Sequence, residues 1–430
     1  MRVFVGPVEI AGYYGQLAAA LRQIGVDAVS VDLGEHRLRY GQAQPEGFWI
    51  TAAVRAERGW TASRGRPAPL RLHRWVARVA ARVGLVAWAI TRFDAFIFGY
   101  GTTLLFTREL ALLRLLRKRL VFVFNGSDAR PPYIDGADMA ASRGMTIDEC
   151  IALARRKKEL IRRIERYADA VVSLPTFSHY FERPVIDYLR IGTPVVPGLD
   201  RASTGETGEE IRILHSPSDP EVKGSDRIRA TVAALRAGGR PVRLIELREV
   251  ANDVVRAEIA RADFVIDQAY SDTPMAVFVT EAAAAGVPAI VGSYAWPELI
   301  RLYAEDALPP VEQCHPDGLA TAIVRLADDR EYRLALGSRA RGYVETTWAP
   351  ENVAARYLTV LRGNTPDGWV FDPTDIRYLH GAGLPEARTR EIVAAVVARG
   401  GREGLALADK PWLARAFAAA PDEVDQRRAP

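Results

Sequence analysis

The 430 residues are too many for one typical domain, and 49% apolar with 26% charged side chains exclude a disordered chain. Fifty-seven basic against 53 acidic side chains leave a net charge of +4, which favours anionic small molecules or a membrane surface and is too small to argue for nucleic acid. No stretch approaches the roughly 18 consecutive apolar residues that span a bilayer. The opening MRVFVG lacks the apolar core of a secretory signal, and Cys150 and Cys314 read as free thiols of a reducing cytoplasm.

The first half alternates strand and helix patterns. Residues 2–6 read as a strand; Leu17, Leu21 and Ile24 then recur at helical spacing, and Gly25 is a stop. Residues 27–32 form the next strand. A strand at 95–99, a helix around 110–116, a strand at 120–124, a long basic helix at 147–167 and a strand at 170–174 follow. Such alternation predicts βαβ units and a parallel sheet. The polar, glycine-containing residues 198–210, GLDRASTGETGEE, mark a linker.

The second half repeats the pattern. A strand at 211–215 precedes a helix carrying Ile228, Val232 and Leu235, which Gly238 and Gly239 stop. Strands at 242–247, 264–267 and 287–291 are separated by helices at 253–260 and 276–285. Four strands with three helices predict an open Rossmann-like sheet. A further helix carries Val353, Tyr357 and Leu361, and a tail rich in Pro, Gly and Trp runs from about 364.

Ligands of open α/β sheets sit at the carboxyl ends of strands. HSPSDPEVKGSDRIRA, 215–230, occupies such a place. A helix opening at Ser225 and Asp226 presents unpaired N–H groups and the positive end of its dipole to an anion. Lys223 adds a full charge, and Gly224 lets the backbone come close. The plainer alternative is a solvated lysine in an ordinary turn with Ser225 as N-cap. In FVTEAAAAGVPAIVG, 278–292, Glu281 stands on the first turns of an alanine-rich helix, where a carboxylate can accept both hydroxyls of a ribose or simply face water.

HSPSDPEVKGSDR, IARADFVIDQ, VTEAAAAGVPAIVG and the closing WAPENVAARYLTVL, in that order, resemble the donor domain of retaining glycosyltransferases of the GT-B fold, in particular family 4. GPVEIAGYYGQLAAALRQIGVDA, FDAFIFGYGTTLLF and VFVFNGSDAR fit the other half, so the resemblance covers most of 1–363. It implies an α/β protein: an acceptor-binding domain over 1–198, a nucleotide-sugar domain over 205–345, and a cross-over helix with an extension over 346–430.

The same resemblance assigns roles. Lys223 lies on the donor diphosphate, Glu281 on the ribose, and Glu249 and Val250 beside the base. Ser216, Gly224, Thr273, Met275, Ala276 and Val277 line the donor. Gly12, Tyr13 and Gly15 approach its sugar and phosphate from the opposite domain. Two departures stand out: Thr273 occupies the place of a frequent glutamate, with Asp272 next to it, and Asn125 replaces a frequent histidine. Asp272, Asn125 and Lys223 are the candidate catalytic residues, and Asn125 and Asp128 the candidate acceptor contacts, although NGSD is also ordinary turn chemistry.

The implied reaction is transfer from a UDP- or GDP-linked sugar to a glycan, lipid-linked or small-molecule acceptor with retention. The nucleotide sugar is a co-substrate and no other cofactor is expected. No residues stand at metal-ligand spacing, so metal independence is expected. A silent relative supporting a partner enzyme is the alternative, motivated by Thr273 and Asn125; a sugar-nucleotide epimerase is a third reading. Finally, residues 71–90 put Arg71, Arg74, Arg78 and Arg82 on one side of a helix and Leu72, Val76, Val79, Val83 and Val86 on the other. Either the apolar side faces the core and the arginines face water, or the helix lies peripherally on an anionic membrane at its inner face.

Overall fold

The computed structural model describes residues 1–34, 47–63, 65–195 and 210–419; the expected linker, apart from Glu210, lies outside them. Two parallel sheets organise the chain. The first contains β1 (Arg2–Gly6), β2 (Asp27–Ser30), β3 (Ala95–Gly99), β4 (Arg119–Val123), β5 (Ala170–Ser173) and β6 (Val185–Asp187). The second contains β7 (Ile211–His215), β8 (Val242–Glu246), β9 (Phe264–Ile266), β10 (Ala289–Gly292) and β11 (Glu312–Cys314). A last short strand, β12 (Val370–Phe371), returns to the first sheet, whose order is β12-β6-β5-β4-β3-β1-β2. The second sheet runs β11-β10-β9-β7-β8, one strand more than expected.

Every pairing is parallel except β12 on β6. Strands covered by helices on both faces read as apolar runs, and AFIFG and, after Arg119 at the strand start, LVFV do. Phe4, Phe96, Phe98 and Phe122 stack across the first sheet, with Phe96 and Phe98 centroids 5.6 Å apart and Phe98 and Phe122 5.2 Å apart. Ile213, Phe264, Ile266 and Ile290 fill the second against Ile228, Val232 and Ile323.

In each sheet the chain leaves the first strand, pairs on one side, then crosses to the other. The switch points fall between β1 and β3 and between β7 and β9. The C-terminal edges of the two sheets face each other. Arg130, after β4, pairs with Asp272, after β9; Thr176, after β5, donates to Asp272 O at 2.8 Å. Glu221, after β7, accepts from Ala141 N at 2.6 Å. Helix Pro350–Leu361 crosses back onto the first lobe, where the Tyr357 and Tyr13 hydroxyls are 2.7 Å apart.

The tail is part of the first lobe and straps it to the second. Helix Glu386–Gly400 lies on helix Ile147–Tyr167, with Arg399 on Asp148 at 2.8 Å. Between β12 and this helix, the Tyr378 carbonyl meets His179 Nε2 at 2.8 Å and Gly136 N donates to Ala382 O at 2.8 Å. The next residue, Gly383, donates to Tyr270 O of the second lobe at 2.8 Å. Gly381 passes so close to Ile134 that a Cβ would lie 1.6 Å from its carbonyl oxygen.

One expectation is corrected. The helix at 71–90 spans Ala68–Arg92, and its apolar side is not turned to the core along its first half. Leu72, Val76 and Val83 are exposed, whereas Arg82 is buried. The cause is Glu57 on the preceding helix Phe48–Thr61, which ion-pairs both Arg78 and Arg82. Arg82 also donates to Leu104 O at 2.8 Å, so at Arg78 and Arg82 the arginine side is the inner one, whereas Arg71 and Arg74 are exposed.

Candidate functional site

The loop after β7 is a tight turn built by Asp219. Its carboxylate accepts from Glu221 N at 3.1 Å and Val222 N at 3.2 Å, and its carbonyl accepts from Lys223 N at 2.9 Å. Gly224 then adopts φ 67°, and a Cβ there would meet Ala269 at 2.7 Å and the Tyr270 ring at 2.9 Å. Glycine is therefore required on both counts. Ser225 N donates to Pro220 O at 2.9 Å, but no side chain caps the following helix, Ser225–Ala237, which leaves the N–H groups of Asp226 and Arg227 for an outside acceptor.

Lys223 is held at the switch point. Its Nζ lies 3.1 Å from Asp267 Oδ1 at the end of β9, and its carbonyl accepts from Ala269 N at 3.0 Å. Asp267 is buried and its second oxygen has no hydrogen-bond partner. His215 locks the same corner: its Nδ1 is 2.8 Å from Ile266 O and its Nε2 2.8 Å from Ser225 Oγ. A carbonyl can only accept, so Nδ1 carries the proton and Nε2 accepts from the serine. Burial pushes the imidazole below its ordinary pKa, consistent with this neutral tautomer. Neither Asp267 nor His215 was singled out from the sequence. A polar residue closing an apolar strand was the available signal.

Glu281 lies on helix Val277–Ala284, half-buried, and accepts from Asn252 Nδ2 at 3.0 and 3.3 Å. Burial raises its carboxyl pKa. Asn252 opens helix Asn252–Ile259 directly after Glu249 and Val250; Glu249 is exposed with φ 52°, and Val250 packs against the core. Lys223 follows β7, Glu249 and Val250 follow β8, and Glu281 stands on the helix after β9; the three strands are neighbours in the sheet. Ser216 is half-buried at the end of β7. Of 273–277, Met275 is core, while Thr273, Ala276 and Val277 are half-buried at a helix start that no side chain caps.

The opposite wall is different. Gly12 has φ 83° and precedes helix Tyr13–Gln23. Tyr13 is buried, with its hydroxyl on Tyr357 and Gly192 O, so its side chain is not brought to Lys223. Glu9 occupies the helix start: its carboxylate accepts from Tyr14 N at 3.1 Å and Gly15 N at 2.7 Å. Burial pushes Glu9 up to about 7. Asn125 accepts from the Tyr14 hydroxyl. Asp128 accepts from Asn125 N at 3.1 Å and Gly126 N at 2.9 Å, and burial raises it to about 7.

Asp272 is fully buried and forked by Arg130, whose Nη2 is 2.7 Å from Oδ1; Arg130 also lies 4.4 Å from the Phe177 ring centroid. The carboxylate thus joins the lobes. Among the described residues no group of three or more His, Cys, Asp or Glu is arranged to hold a metal ion, and no helix is long and apolar enough to cross a membrane.

No family model matches the chain, and no curated protein matches it. Among solved structures it is similar to a TarM mutant of S. aureus in complex with Fondaparinux, alpha-GlcNAc-glycerol and UDP, at 10% identity and TM-score 0.45, over 66% of this chain and 59% of TarM. HepE of Anabaena in complex with UDP and glucose is 12% identical with TM-score 0.49, over 84% of this chain and 100% of HepE. The glycosyltransferase SnogD from Streptomyces nogalater is 15% identical with TM-score 0.39, over 83% of this chain and 98% of SnogD. Likenesses this distant carry no argument about activity. The topology itself establishes the GT-B arrangement: two Rossmann-like lobes with their strand ends facing, and a C-terminal helix crossing back to the first.

Proposed function

We propose that the chain is a glycosyltransferase that moves a sugar from a UDP- or GDP-linked donor to a glycan, lipid-linked or small-molecule acceptor with retention of configuration. One observation carries the reading: an ammonium and an uncapped helix start follow β7, and a carboxylate–amide pair links the helices that follow β8 and β9, three adjacent strands at a switch point. Lys223 and the Ser225 helix start bind the diphosphate, Glu281 with Asn252 binds the ribose, and the Glu249–Val250 loop flanks the base. As the anomeric C–O bond breaks, its electron pair goes to the diphosphate. The acceptor oxygen bonds to the anomeric carbon and gives up its proton to the departing diphosphate. Fixed positive groups aimed at the growing phosphate charge lower the barrier most. These groups supply that charge without a metal ion, so activity is expected to survive chelation by EDTA.

Asp267 shares Lys223 with the incoming phosphate and keeps the amine in place. On the opposite wall, Asn125 and Asp128 take the acceptor. The amides of Tyr14 and Gly15 already serve Glu9, so the first-lobe loop at Gly12–Gly15 meets the donor through its surface and not through a free anion seat.

A second reading has its own observation. Thr273 offers no carboxylate, and its neighbour Asp272 is spent on Arg130. A silent relative that binds nucleotide without turnover would look like this. Thermal melting with UDP, GDP and their common sugars, followed by slow donor hydrolysis, separates the two. Stabilisation with hydrolysis supports the transferase; stabilisation without hydrolysis across the panel supports the silent form; no stabilisation refutes both.

A further inference from the structure

Helices Phe48–Thr61 and Ala68–Arg92 form an antiparallel hairpin on the crossover from β2 to β3, with Trp49 against Gly84 and Arg74 against Gly59. Helix Ala68–Arg92 is exposed on all sides from 68 to 76, and at 82–83 it buries Arg82 and turns Val83 outward. Leu72 is 62% exposed, Val76 51%, Val83 49% and Trp75 46%. These positions recur at helical spacing, three or four residues apart between 72 and 76 and seven between 76 and 83, and so share a stripe about 17 Å long. Phe48 adds a 76% exposed ring at the far end.

The inner face is arginine, as Glu57, the carbonyls of Thr103 and Leu104, and the Phe106 ring show: Arg82 lies 4.6 Å and Arg78 4.7 Å from that ring's centroid. Glu57 accounts for the inward arginines, but no described residue covers Leu72, Val76 and Val83.

Charge tells what covers this face. Residues 48–92 contain nine arginines, one glutamate, and no lysine or aspartate, a net of +8; the whole chain is +4, so the remainder is −4. Arg71 and Arg74, at the start of the arginine side, are exposed, as are Arg55 and Arg66 on the same hairpin. A second copy of the same face would bring +8 against +8. Nucleic acid would pair the arginines but leave Leu72, Val76 and Val83 in water. An anionic lipid surface matches both, with acyl boundary for the stripe and headgroups for the arginines.

We propose that this hairpin docks the protein on anionic membrane, with Leu72, Trp75, Val76 and Val83 entering the interface and the exposed arginines on the headgroups. The surface is independent of the nucleotide site, so each stands or falls alone. Full-length protein is sedimented with vesicles of phosphatidylcholine and of phosphatidylcholine with about 30% phosphatidylglycerol, at about 0.1 M and about 0.5 M salt.

The expected result is binding to the anionic vesicles, weakened by salt, and reduced about tenfold both by L72E/V76E and by R71E/R74E. These side chains are exposed, so the variants keep the native melting temperature to within a few degrees and, if the nucleotide reading holds, the same UDP stabilisation. No binding to anionic vesicles at low salt overturns the proposal. So does binding that L72E/V76E leaves unchanged, a dimer in analytical ultracentrifugation that the same variant dissociates, or tighter binding of single-stranded RNA.

Discussion

Lys223 is the residue on which the donor site depends, and its present partner explains how it waits. An ammonium has three protons, and Asp267 takes one at 3.1 Å on the side facing the sheet. The remaining donors are free to reach a diphosphate without moving the carbon stem. Replacing Lys223 by methionine keeps the stem and removes the charge. UDP or GDP at a hundredfold excess over Kd stabilises the native protein by about 2.7 kcal/mol; Lys223→Met is expected to lose most of this in a melting experiment. An unchanged shift would remove Lys223 from the site. Glu9 and Asp128 make a second residue-level prediction. Both carboxyls are raised by burial to about 7, so the folded state holds protons that the unfolded state has released above the ordinary carboxylate range. That contribution is present in full below the unfolded pKa and is lost as pH rises through about 7. A Glu9→Gln variant has one acceptor oxygen, which can keep the Tyr14 N–H bond but not the Gly15 N–H bond as well, and it exchanges no proton at any pH. Its melting temperature is therefore expected to gain on the native protein between about pH 5 and about pH 8; a constant gap would contradict the assignment.

At the scale of elements, the strap at 376–385 closes what the sheets leave open. Its close passages rest on glycine: Gly381 over Ile134, and Gly383, where a Cβ would lie 2.6 Å from Val222 Cγ1, one residue before Lys223. Gly381→Val is expected to loosen the strap, costing about 1–3 kcal/mol, and to open the chain to limited proteolysis between β12 and helix Glu386–Gly400. Protection equal to the native chain would show that the strap carries little.

Much of this scale was legible in the sequence. Strands 95–99 and 211–215 and helix 147–167 match the structure at both ends, because apolar runs and the Thr146–Glu149 capping box are local signals. The three-residue β6 and β11 and two-residue β12 were missed, being set by distant partners and too short for periodicity. The hairpin arginines show another limit. Periodicity reports that a helix has two faces, but only the tertiary position of Glu57 decides which is inside. In the site, Lys223, Glu281 and the 249–250 loop were readable from strand ends; Asp267, Asn252 and Glu9 were not, because their roles come from contacts 44, 29 and five to six residues away.

For the whole molecule, the lobes are joined by charge as well as by chain. Arg130 and Asp272 are buried with Asp135 3.8 Å from the guanidinium; Arg143 meets Asp219, and the Tyr303 hydroxyl donates to Asp187 at 2.8 Å. Removing one member of a buried pair strands the other, at about 3–5 kcal/mol, whereas a matched apolar pair costs far less. Arg130→Met and Asp272→Leu should each lower the unfolding free energy from denaturant titration by that amount, and the double variant by less than either. Additive losses would show that the two do not act as a pair. The facing of the lobes matters because it sets the nucleotide wall around Lys223 and Glu281 opposite the wall around Asn125 and Asp128. Calorimetric titration of UDP, GDP and inorganic pyrophosphate onto the native protein, Lys223→Met and Glu281→Ala tests that wall most directly. One nucleotide should bind the native chain, about tenfold to a hundredfold more weakly to Lys223→Met, while Glu281→Ala should weaken the nucleotide and leave pyrophosphate unchanged. Failure of both nucleotides to bind the native chain, or equal binding by all three proteins, would contradict it.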